Sequence, residues 1–319
     1  MSSISPPPPI IDPLHPHIWS WPHIGLTLIH EFISEAEEAA MISAFHEREN
    51  CDPSNNTGKK RISQHFGYHF DYTTFGVSTF SPVPDYITAV LPRLPLFADS
   101  DSPEEDLQVP DQFTVQYYPP GSGIPPHVDT HSMFGEALYS LSYGSAVPMV
   151  FRMSGKNDAR KLRLPKRSLQ TDGDGQQEPN GGGFTENGGS AEVKKEKSEK
   201  EDRKDGERQE DATAEEKGNG AVALDEEEKH PAWELMLPPR SLLVMRGASR
   251  YGYTHGIRPR KTDVAPDGSM VRREGRYSIT MRIVRRGDEI RCRCAWPGVC
   301  DARVREEGEA AAREKASTT

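Results

Sequence analysis

Short runs of β-branched and aromatic residues recur along the chain and predict strands. Five runs show the pattern most clearly: residues 113–118, 139–143, 148–151, Ser241–Met245 and 277–284. They are closely spaced and separated by turn residues, which is typical of antiparallel sheets that stack face to face. We therefore expect a mainly β protein with flanking helices, built as a double-stranded β-helix, or jelly-roll, barrel.

The N-terminal part is predicted to contribute a strand and then a helix. The apolar run at residues 26–29 favours a strand. Ser34 followed by Glu37 is a capping-box signal, so a helix is expected over residues 35–46. Three apolar residues recur within it at three-residue spacing: Ala39, Ile42 and Phe45. This spacing predicts one buried stripe that packs against the sheet.

Two segments lack the pattern of a folded domain. Residues 1–23 are Pro-rich and without periodicity, so we expect a disordered leader. Residues 154–230 are rich in Gly, Lys, Glu and Asp, a composition that cannot bury enough apolar area to offset conformational entropy. Because strand-like runs flank this second segment, we expect a disordered charged insertion within one domain formed by residues 24–153 and 231–305. Residues 306–319 would be a Glu/Ala/Arg-rich tail.

Composition and charge narrow the class of protein. The chain has no run of about 18 uninterrupted apolar residues, and its N-terminal stretch lacks the basic and apolar regions of a secretory signal. A cytoplasmic or nuclear setting is therefore expected. The net charge is −10, yet residues 231–319 hold 18 basic against 11 acidic side chains. This basic part could attract the phosphates of a nucleic acid, although a solvated arginine-rich face explains it equally well.

A His-x-Asp pair and a distant histidine offer a metal site. His127 and Asp129 follow a Pro-rich turn, and residues two apart share one side of an extended backbone. With His255 they would form a facial set that leaves three coordination positions open, as oxygen activation at non-haem Fe(II) requires. A second pair, His69 with Asp71, has the same spacing. Its aromatic neighbours favour packing or a substrate-facing strand over metal ligation.

A late run in the chain alternates polar and apolar residues. Arg276, Ser278, Thr280 and Arg282 would share one face of a strand. Arginines that point into a protein need an anion beside them. A dicarboxylate co-substrate would supply that anion, gripped by the planar guanidinium at two points. An outward face with two solvated arginines is the alternative.

Three cysteines near the C-terminus indicate a second metal site. Cys292, Cys294 and Cys300 supply three thiolates within a short stretch, one fewer than a closed tetrahedral zinc site needs. His131, just beyond the His-x-Asp pair, could supply the fourth ligand. Three cysteines form a looser pattern than paired Cys-x-x-Cys motifs, so free thiols are an equal alternative. Cys51 stands apart and is expected to be a bystander.

Together these residues resemble the AlkB family of dioxygenases, whose pattern is His-x-Asp, a distal His and Arg-x5-Arg. Four stretches look like the oxygenase domain of AlkB homologue eight, which hydroxylates a modified wobble uridine in tRNA: residues 65–68, 123–132, 237–245 and 250–257. The resemblance implies Fe(II) on the predicted triad and 2-oxoglutarate as co-substrate. The co-substrate contacts that it implies are Tyr118, Arg276, Ser278 and Arg282. It also implies a structural zinc ion on His131, Cys292, Cys294 and Cys300.

Three features depart from the family pattern. Gln116 stands where the family usually has Asn, and its longer amide could still donate to the co-substrate. The charged insertion has no counterpart in the family's core. The animal enzyme is flanked by an RNA-recognition domain and a methyltransferase domain, neither of which fits here. A separate tRNA methyltransferase is therefore an expected partner.

The expected function is Fe(II)- and 2-oxoglutarate-dependent hydroxylation of a modified nucleobase, first of all the wobble uridine side chain of tRNA. Arg61 and Tyr68, together with Lys59 and Lys60, are candidate RNA contacts, or ordinary surface residues. Two other functions fit the same sequence. Oxidative demethylation of alkylated DNA or RNA bases would share every metal ligand, and a non-catalytic binding module would need none of them.

Overall fold

The structure is a computed structural model that describes residues 6–50, 61–71, 76–97, 107–155, 232–264 and 268–317. Its strands are β1 (Ile10–Asp12), β2 (His15–Trp21), β3 (Leu26–Ile29), β4 (Ile62–Asp71), β5 (Gly76–Ser81), β6 (Gln112–Tyr118), β7 (Ile124–His127), β8 (Leu138–Gly144), β9 (Val147–Met153), β10 (Ala232–Leu237), β11 (Ser241–Met245), β12 (Tyr253–Ile257), β13 (Thr262–Val264), β14 (Met270–Arg272) and β15 (Arg276–Arg282). Its α-helices are α1 (Glu35–Asn50), α2 (Asp85–Thr88), α3 (Gly247–Tyr251) and α4 (Asp301–Ser317). Short 3-10 turns cover Leu91–Arg93, Gly287–Glu289 and Pro297–Val299.

Two antiparallel sheets carry the fold of the described residues. The larger sheet has the strand order β1-β2-β3-β11-β8-β15-β6-β4-β5, and the smaller sheet has the order β10-β9-β12-β7. Strands distant in sequence lie side by side, because the chain crosses repeatedly from one sheet to the other. This is the arrangement of a jelly roll, so the predicted double-stranded β-helix is confirmed. A separate hairpin pairs β13 with β14.

The core between the sheets is built from the alternate, inward positions of their strands. Apolar side chains from β3, β8 and β11 meet side chains from β9 and β10 in one buried cluster. Its larger members are Leu26, Leu28, Leu138, Phe151, Trp233, Leu235, Leu243 and Met245. Phe151 stacks on Trp233 with ring centroids 4.6 Å apart. The smaller sheet is thereby fixed over one half of the larger one.

Helices cover the opposite face of the larger sheet. Val115, Ile279 and Met281 belong to a second buried cluster that includes Phe45 of α1 and Ile87 of α2. Neighbouring residues on a strand point to opposite faces. The even-numbered positions of β6 and β15 therefore face the space between the two sheets, which is where the candidate site lies.

The capping box predicted for α1 is present. The Glu37 backbone N–H donates to the Ser34 hydroxyl at 3.2 Å, and the Glu37 carboxylate accepts from the Ser34 backbone N–H at 2.8 Å. The helix continues past the predicted residue 46 to Asn50. The predicted stripe is wrong at Ala39, which is exposed, and Met41 is buried beside Phe45 instead.

The N-terminal stretch predicted to be a disordered leader contains two strands. β1 pairs with β2, and β2 pairs with β3 at residues 18–21. Trp21 anchors this hairpin, because its side chain is buried in the core and its indole N–H donates to the carbonyl oxygen of Pro7 at 2.6 Å. The prediction of disorder is therefore wrong for these strands. β2 was not predicted because it contains Pro16, and proline normally argues against a strand. Pro16 is tolerated in β2 because it lies outside the residues that pair with β3.

The strands on either side of the charged segment are direct neighbours. β9 and β10 pair along their length, with Arg152 opposite Ala232. The prediction of a disordered insertion at residues 154–230 lies outside the described residues from position 156 onward.

The predicted tail falls within α4 as far as Ser317. In the described ranges, no helix has the length and apolar content needed to span a membrane.

Candidate metal centres and co-substrate site

Strands β7 and β12 bring the three predicted iron ligands together. The two strands are antiparallel neighbours in the smaller sheet, and His127 lies directly opposite His255. Residues directly opposite each other point to the same face of a sheet, and Asp129 follows β7 by two residues. Gly256 allows the close approach, because a Cβ atom there would lie 2.8 Å from the backbone nitrogen of Pro126.

The geometry of this cluster suits an open metal site. The ligand atoms of His127, Asp129 and His255 all lie within 4.8 Å of one another. Nε2 of His255 is 3.7 Å from the Asp129 carboxylate, and the two imidazole centroids are 4.4 Å apart. Nδ1 of His127 donates to the carbonyl oxygen of Pro125 at 2.9 Å, which leaves Nε2 free to ligate. A set of two imidazoles and one carboxylate is typical of Fe(II) sites with open coordination positions. Closed sites that hold zinc more often use thiolate ligands.

The surroundings hold these ligands in the protonation states that a metal needs. Burial opposes ionisation of Asp129, but the Arg282 guanidinium, followed by His127 and His255, outweighs it and holds the pKa of this carboxyl well below its usual range. Arg282 donates to the Asp129 carboxylate at 2.9 Å. Burial, followed by repulsion from His127, lowers the pKa of His255 to about 3. Asp129 is therefore anionic and His255 neutral at physiological pH, as metal ligation requires.

A buried polar patch lies on the inner face of the larger sheet. In the register of β6 with β15, Tyr118 lies opposite Arg276 and Gln116 opposite Ser278. The Tyr118 hydroxyl donates to the Gln116 side-chain oxygen at 2.6 Å, and Nε of Arg276 donates to the Ser142 hydroxyl at 3.0 Å. All five side chains are buried. The structure thus brings together every residue predicted to contact the co-substrate, with Arg282 at the end of the patch nearest the metal ligands.

Arg276 fits a role in binding an anion. Its side chain is 3% exposed, and burial lowers the pKa of its guanidinium. Across the described ranges, no carboxylate lies within ion-pair distance of this guanidinium, whose nearest partners are Ser142 and the ring of Tyr118. A buried cation is costly unless an anion joins it. A carboxylate of 2-oxoglutarate would supply that anion.

The second predicted cluster also comes together. Ligand atoms of His131, Cys292, Cys294 and Cys300 lie within 4.8 Å of one another. Nδ1 of His131 is 3.3 Å from the sulfur of Cys294, and the three cysteines are not in disulfides. Nε2 of His131 is buried, and no described residue forms a hydrogen bond with it.

Hydrogen bonds among the three cysteines act on their thiols in opposite directions, and those with Cys294 and then Cys300 raise the pKa of the Cys292 thiol. Hydrogen bonds from Cys292 and then Cys294 hold the pKa of the Cys300 thiol well below its usual range. Burial lowers the pKa of His131, so its imidazole is neutral. Three sulfur ligands and one neutral imidazole at this spacing match the donor set of closed, tetrahedral zinc sites. The cluster is therefore a candidate structural zinc site.

Two buried charged residues beside these clusters were missed in the sequence. Arg250 is 0% exposed and donates to the backbone carbonyl of Asp129 at 2.9 Å. Asp301 is 1% exposed and accepts from the backbone N–H of His131 at 2.8 Å. Arg250 stood in the stretch 250–257 that carries the family resemblance, but no role was assigned to it or to Asp301. The available signal was position alone, because Asp301 directly follows Cys300 and Arg250 shortly precedes a ligand histidine.

The predicted substrate contacts are placed in different settings. Arg61 is exposed, and its guanidinium lies 5.1 Å from the ring centroid of Tyr118. Tyr68 packs edge-on against Phe80 at 5.0 Å and lies beneath the guanidinium of Arg286 at 4.0 Å. Arg61 is thus beside the candidate co-substrate site, whereas Tyr68 is engaged in side-chain packing.

The remaining candidates lie elsewhere or outside the structure's described part. His69, from the second His-x-Asp pair, forms a hydrogen bond of 2.7 Å with the Ser81 hydroxyl. Neither it nor Asp71 belongs to a metal-capable group found among the described residues. Lys59, Lys60 and Cys51 lie outside the described residues.

Comparison with known proteins identifies the family. The model of the 2OG-Fe(II) oxygenase superfamily matches residues 25–282. The "Alkylated DNA repair protein ALKBH8 homolog" of Arabidopsis thaliana is 29% identical over 87% of this chain and 62% of its own length. The "tRNA (carboxymethyluridine(34)-5-O)-methyltransferase alkbh8" of Xenopus tropicalis is 28% identical over 87% of this chain and 34% of its own length.

A mouse relative adds a second AlkB name. The "Alpha-ketoglutarate-dependent dioxygenase alkB homolog 4" of Mus musculus is 31% identical over 48% of this chain and 49% of its own length. The chain spans less than two thirds of the length of each of these three relatives. The family match nevertheless includes the three clustered ligands and both arginines of β15. The chain therefore belongs to the 2OG-Fe(II) oxygenase superfamily.

Proposed function

We propose that this chain hydroxylates a modified nucleobase, the side chain of the wobble uridine of tRNA. One observation carries the oxygenase part of the proposal. An open cluster of two histidines and a carboxylate is carried by the smaller sheet, and the larger sheet carries a buried arginine, Arg276, without a described carboxylate partner on its inner face. This combination accommodates a metal with free positions and a dianionic co-substrate together.

The residues around the site have separate tasks in this reaction. Bound Fe(II) would supply oxygen activation, coupled to oxidation of 2-oxoglutarate to succinate and carbon dioxide. Arg276 would hold the far carboxylate of the co-substrate, supported by the ring of Tyr118. Arg282 orients the Asp129 carboxylate through its hydrogen bond of 2.9 Å. The ring of Phe134, 5.0 Å from the Arg282 guanidinium, helps to exclude water from this end.

The names of the relatives support a nucleic acid substrate. The Xenopus relative is named for methyl transfer to carboxymethyluridine at position 34 of tRNA. A tRNA methyltransferase activity of the kind that names this relative would prepare the substrate for this chain. Exposed Arg61 beside Tyr118 offers a phosphate contact close to the co-substrate site.

Product analysis with three substrate classes tests the proposal. The chain is incubated with Fe(II), 2-oxoglutarate and one of three substrates: tRNA whose wobble carboxymethyluridine has already been methylated, an alkylated DNA strand or a peptide. Of the three substrates, we expect only the tRNA to support succinate release. The amount of succinate should match the gain of one oxygen atom on the uridine. Asp129→Ala should give neither product. Uridine that gains no oxygen while another substrate is consumed would refute the tRNA proposal and leave the oxygenase assignment standing.

Oxidative demethylation of alkylated bases is a second candidate function. The name of the Arabidopsis relative, an alkylated DNA repair protein, favours it. The same metal ligands would serve, because only the C–H bond presented to the site differs. Formaldehyde release from a methylated oligonucleotide separates this activity from uridine hydroxylation, which releases none.

A further inference from the structure

The loop that follows β7 carries one ligand of each candidate metal cluster. Residues 129–132, called here the ligand loop, include Asp129 of the iron cluster and His131 of the cysteine cluster. None of the four residues belongs to a strand. Their backbone groups therefore lack the ladder hydrogen bonds that fix His127 and His255. Something else has to hold the loop in place.

A buried cation holds the carbonyl groups in the first half of the ligand loop. Arg250 donates from one terminal nitrogen to the Asp129 carbonyl at 2.9 Å and from the other to the Thr130 carbonyl at 2.8 Å. Its side chain is 0% exposed. The guanidinium fork thus spans two successive peptide groups, a geometry that a lysine cannot reproduce.

A buried anion holds the N–H groups in the second half of the loop. One oxygen of Asp301 accepts from the backbone N–H of His131 at 2.8 Å and from that of Ser132 at 3.0 Å. The other oxygen accepts from the Ser132 hydroxyl. Asp301 is 1% exposed, so these three bonds form away from water.

The elements that carry these two charges pack around the cysteine cluster. Arg250 lies in α3 next to Tyr251, whose ring is 5.0 Å from that of His131. Tyr251 in turn stacks on Trp296 at 6.3 Å. Asp301 is the first residue of α4 and directly follows Cys300. The C-terminal segment and α3 therefore both contact the ligand loop.

The burial of two charges without a salt-bridge partner among the described residues needs an explanation. No ion pair forms at Arg250 or Asp301 within the described ranges, so each charge is compensated by the ligand loop itself. The Arg250 guanidinium donates hydrogen bonds to the loop's carbonyl groups, and the Asp301 carboxylate accepts hydrogen bonds from its N–H groups. Both interactions require one particular loop conformation, which makes the pair suited to positioning.

We propose that Arg250 and Asp301 are positioning residues for iron binding, which fix the ligand loop so that Asp129 faces His127 and His255. The inference rests on the proposed function, because it assigns iron to these three ligands. It concerns two residues whose hydrogen bonds go to the backbone of the ligand loop and to the Ser132 hydroxyl. Arg250 lies in the stretch 250–257 that resembles the AlkB family, but the resemblance assigned a role to neither residue.

Iron affinity of four variants tests the proposal. Arg250→Gln and Asp301→Asn remove the charges with little change of shape, while Arg291→Gln and Asp288→Asn remove matched charges from exposed positions. Anaerobic titration with Fe(II) in the presence of 2-oxoglutarate is followed by the visible charge-transfer absorption of the complex. We expect Arg250→Gln and Asp301→Asn to weaken iron binding roughly 10- to 100-fold, the range typical of residues that orient metal ligands. The two exposed controls should bind like the unaltered chain.

Arg250→Lys keeps the charge but not the fork, and should recover part of the loss in Arg250→Gln. Unchanged iron affinity in Arg250→Gln and Asp301→Asn would overturn the proposal, even with a lowered melting temperature, because the residues would then only stabilise the fold. If Asp301→Asn does not fold, Ser132→Ala removes one of the three bonds, and affinity equal to that of the unaltered chain would also overturn it. If the unaltered chain gave no charge-transfer absorption, the proposed function itself would fail.

Discussion

Replacing Arg276 with methionine should separate co-substrate binding from folding. Methionine has a similar length but removes the charge and all guanidinium donors. A hydrogen bond to a charged group contributes about 1.5–3 kcal/mol. Loss of a two-point contact to a carboxylate therefore costs roughly 3–6 kcal/mol, and about 1.4 kcal/mol corresponds to a factor of ten. We expect the KM for 2-oxoglutarate to rise at least about a hundredfold.

The same substitution should not destabilise the protein without co-substrate. The guanidinium is 3% exposed and has no carboxylate partner in the described ranges, so its burial costs free energy in the free protein. We expect the melting temperature of the free protein to stay the same or rise. The increase that 2-oxoglutarate produces in the unaltered chain should disappear, because this increase depends on binding to the folded state.

Steady-state kinetics and thermal unfolding measure both effects. Arg272→Met is the matched control, since Arg272 is exposed on β14 only four residues earlier. It should leave the KM for 2-oxoglutarate unchanged. A normal KM in Arg276→Met would refute the role of Arg276 as the co-substrate anchor. A large fall in the melting temperature of its free form would refute the argument from an uncompensated buried charge.

Three further perturbations test other parts of the structure. Ser34→Ala removes the N-cap of α1 and should lower the free energy of unfolding, measured in urea, by about 1 kcal/mol. Ser43→Ala, at an exposed position within the helix, should leave this free energy unchanged. Equal effects of the two substitutions would contradict the capping argument. Burial lowers the pKa of His30 from its ordinary value of 6.5, so the folded state binds this proton less readily and loses stability as the pH falls through that value. His30→Gln should therefore lessen the loss of unfolding free energy between about pH 7 and pH 5, and an unchanged pH dependence would count against it. Cys300→Ser should abolish zinc binding in elemental analysis while Cys51→Ser keeps it, and full zinc content in Cys300→Ser would exclude the cysteine cluster as the zinc site.

Local patterns in the sequence were sufficient where one segment determines its own structure. β11 covers the same residues as predicted, Ser241–Met245, because four of its five residues are apolar, all five are buried, and the strand lies between β3 and β8 in the larger sheet. The capping box at Ser34 likewise forms from residues three positions apart. The inward face of β15 followed from the alternation of its residues alone, and the register places Arg276 and Ser278 on it as expected.

Features that depend on pairing between distant segments could not be predicted from the sequence. The sequence could nominate His255 as a ligand, but its place opposite His127 depends on the register of β12 with β7. Arg250 and Asp301 act on backbone groups, so nothing in their side-chain chemistry distinguished them from surface charges. β2 was missed because a Pro-rich stretch normally argues against a strand, and only burial of Trp21 in the core reveals its role.

The central claim is that His127, Asp129 and His255 hold the iron that drives 2-oxoglutarate turnover. Iron content and succinate release should be measured together in Asp129→Ala and in Asp71→Ala, which alters the other His-x-Asp pair. The account predicts that Asp129→Ala loses both bound iron and succinate release, whereas Asp71→Ala keeps iron-dependent turnover. Normal iron content and succinate release in Asp129→Ala would contradict it.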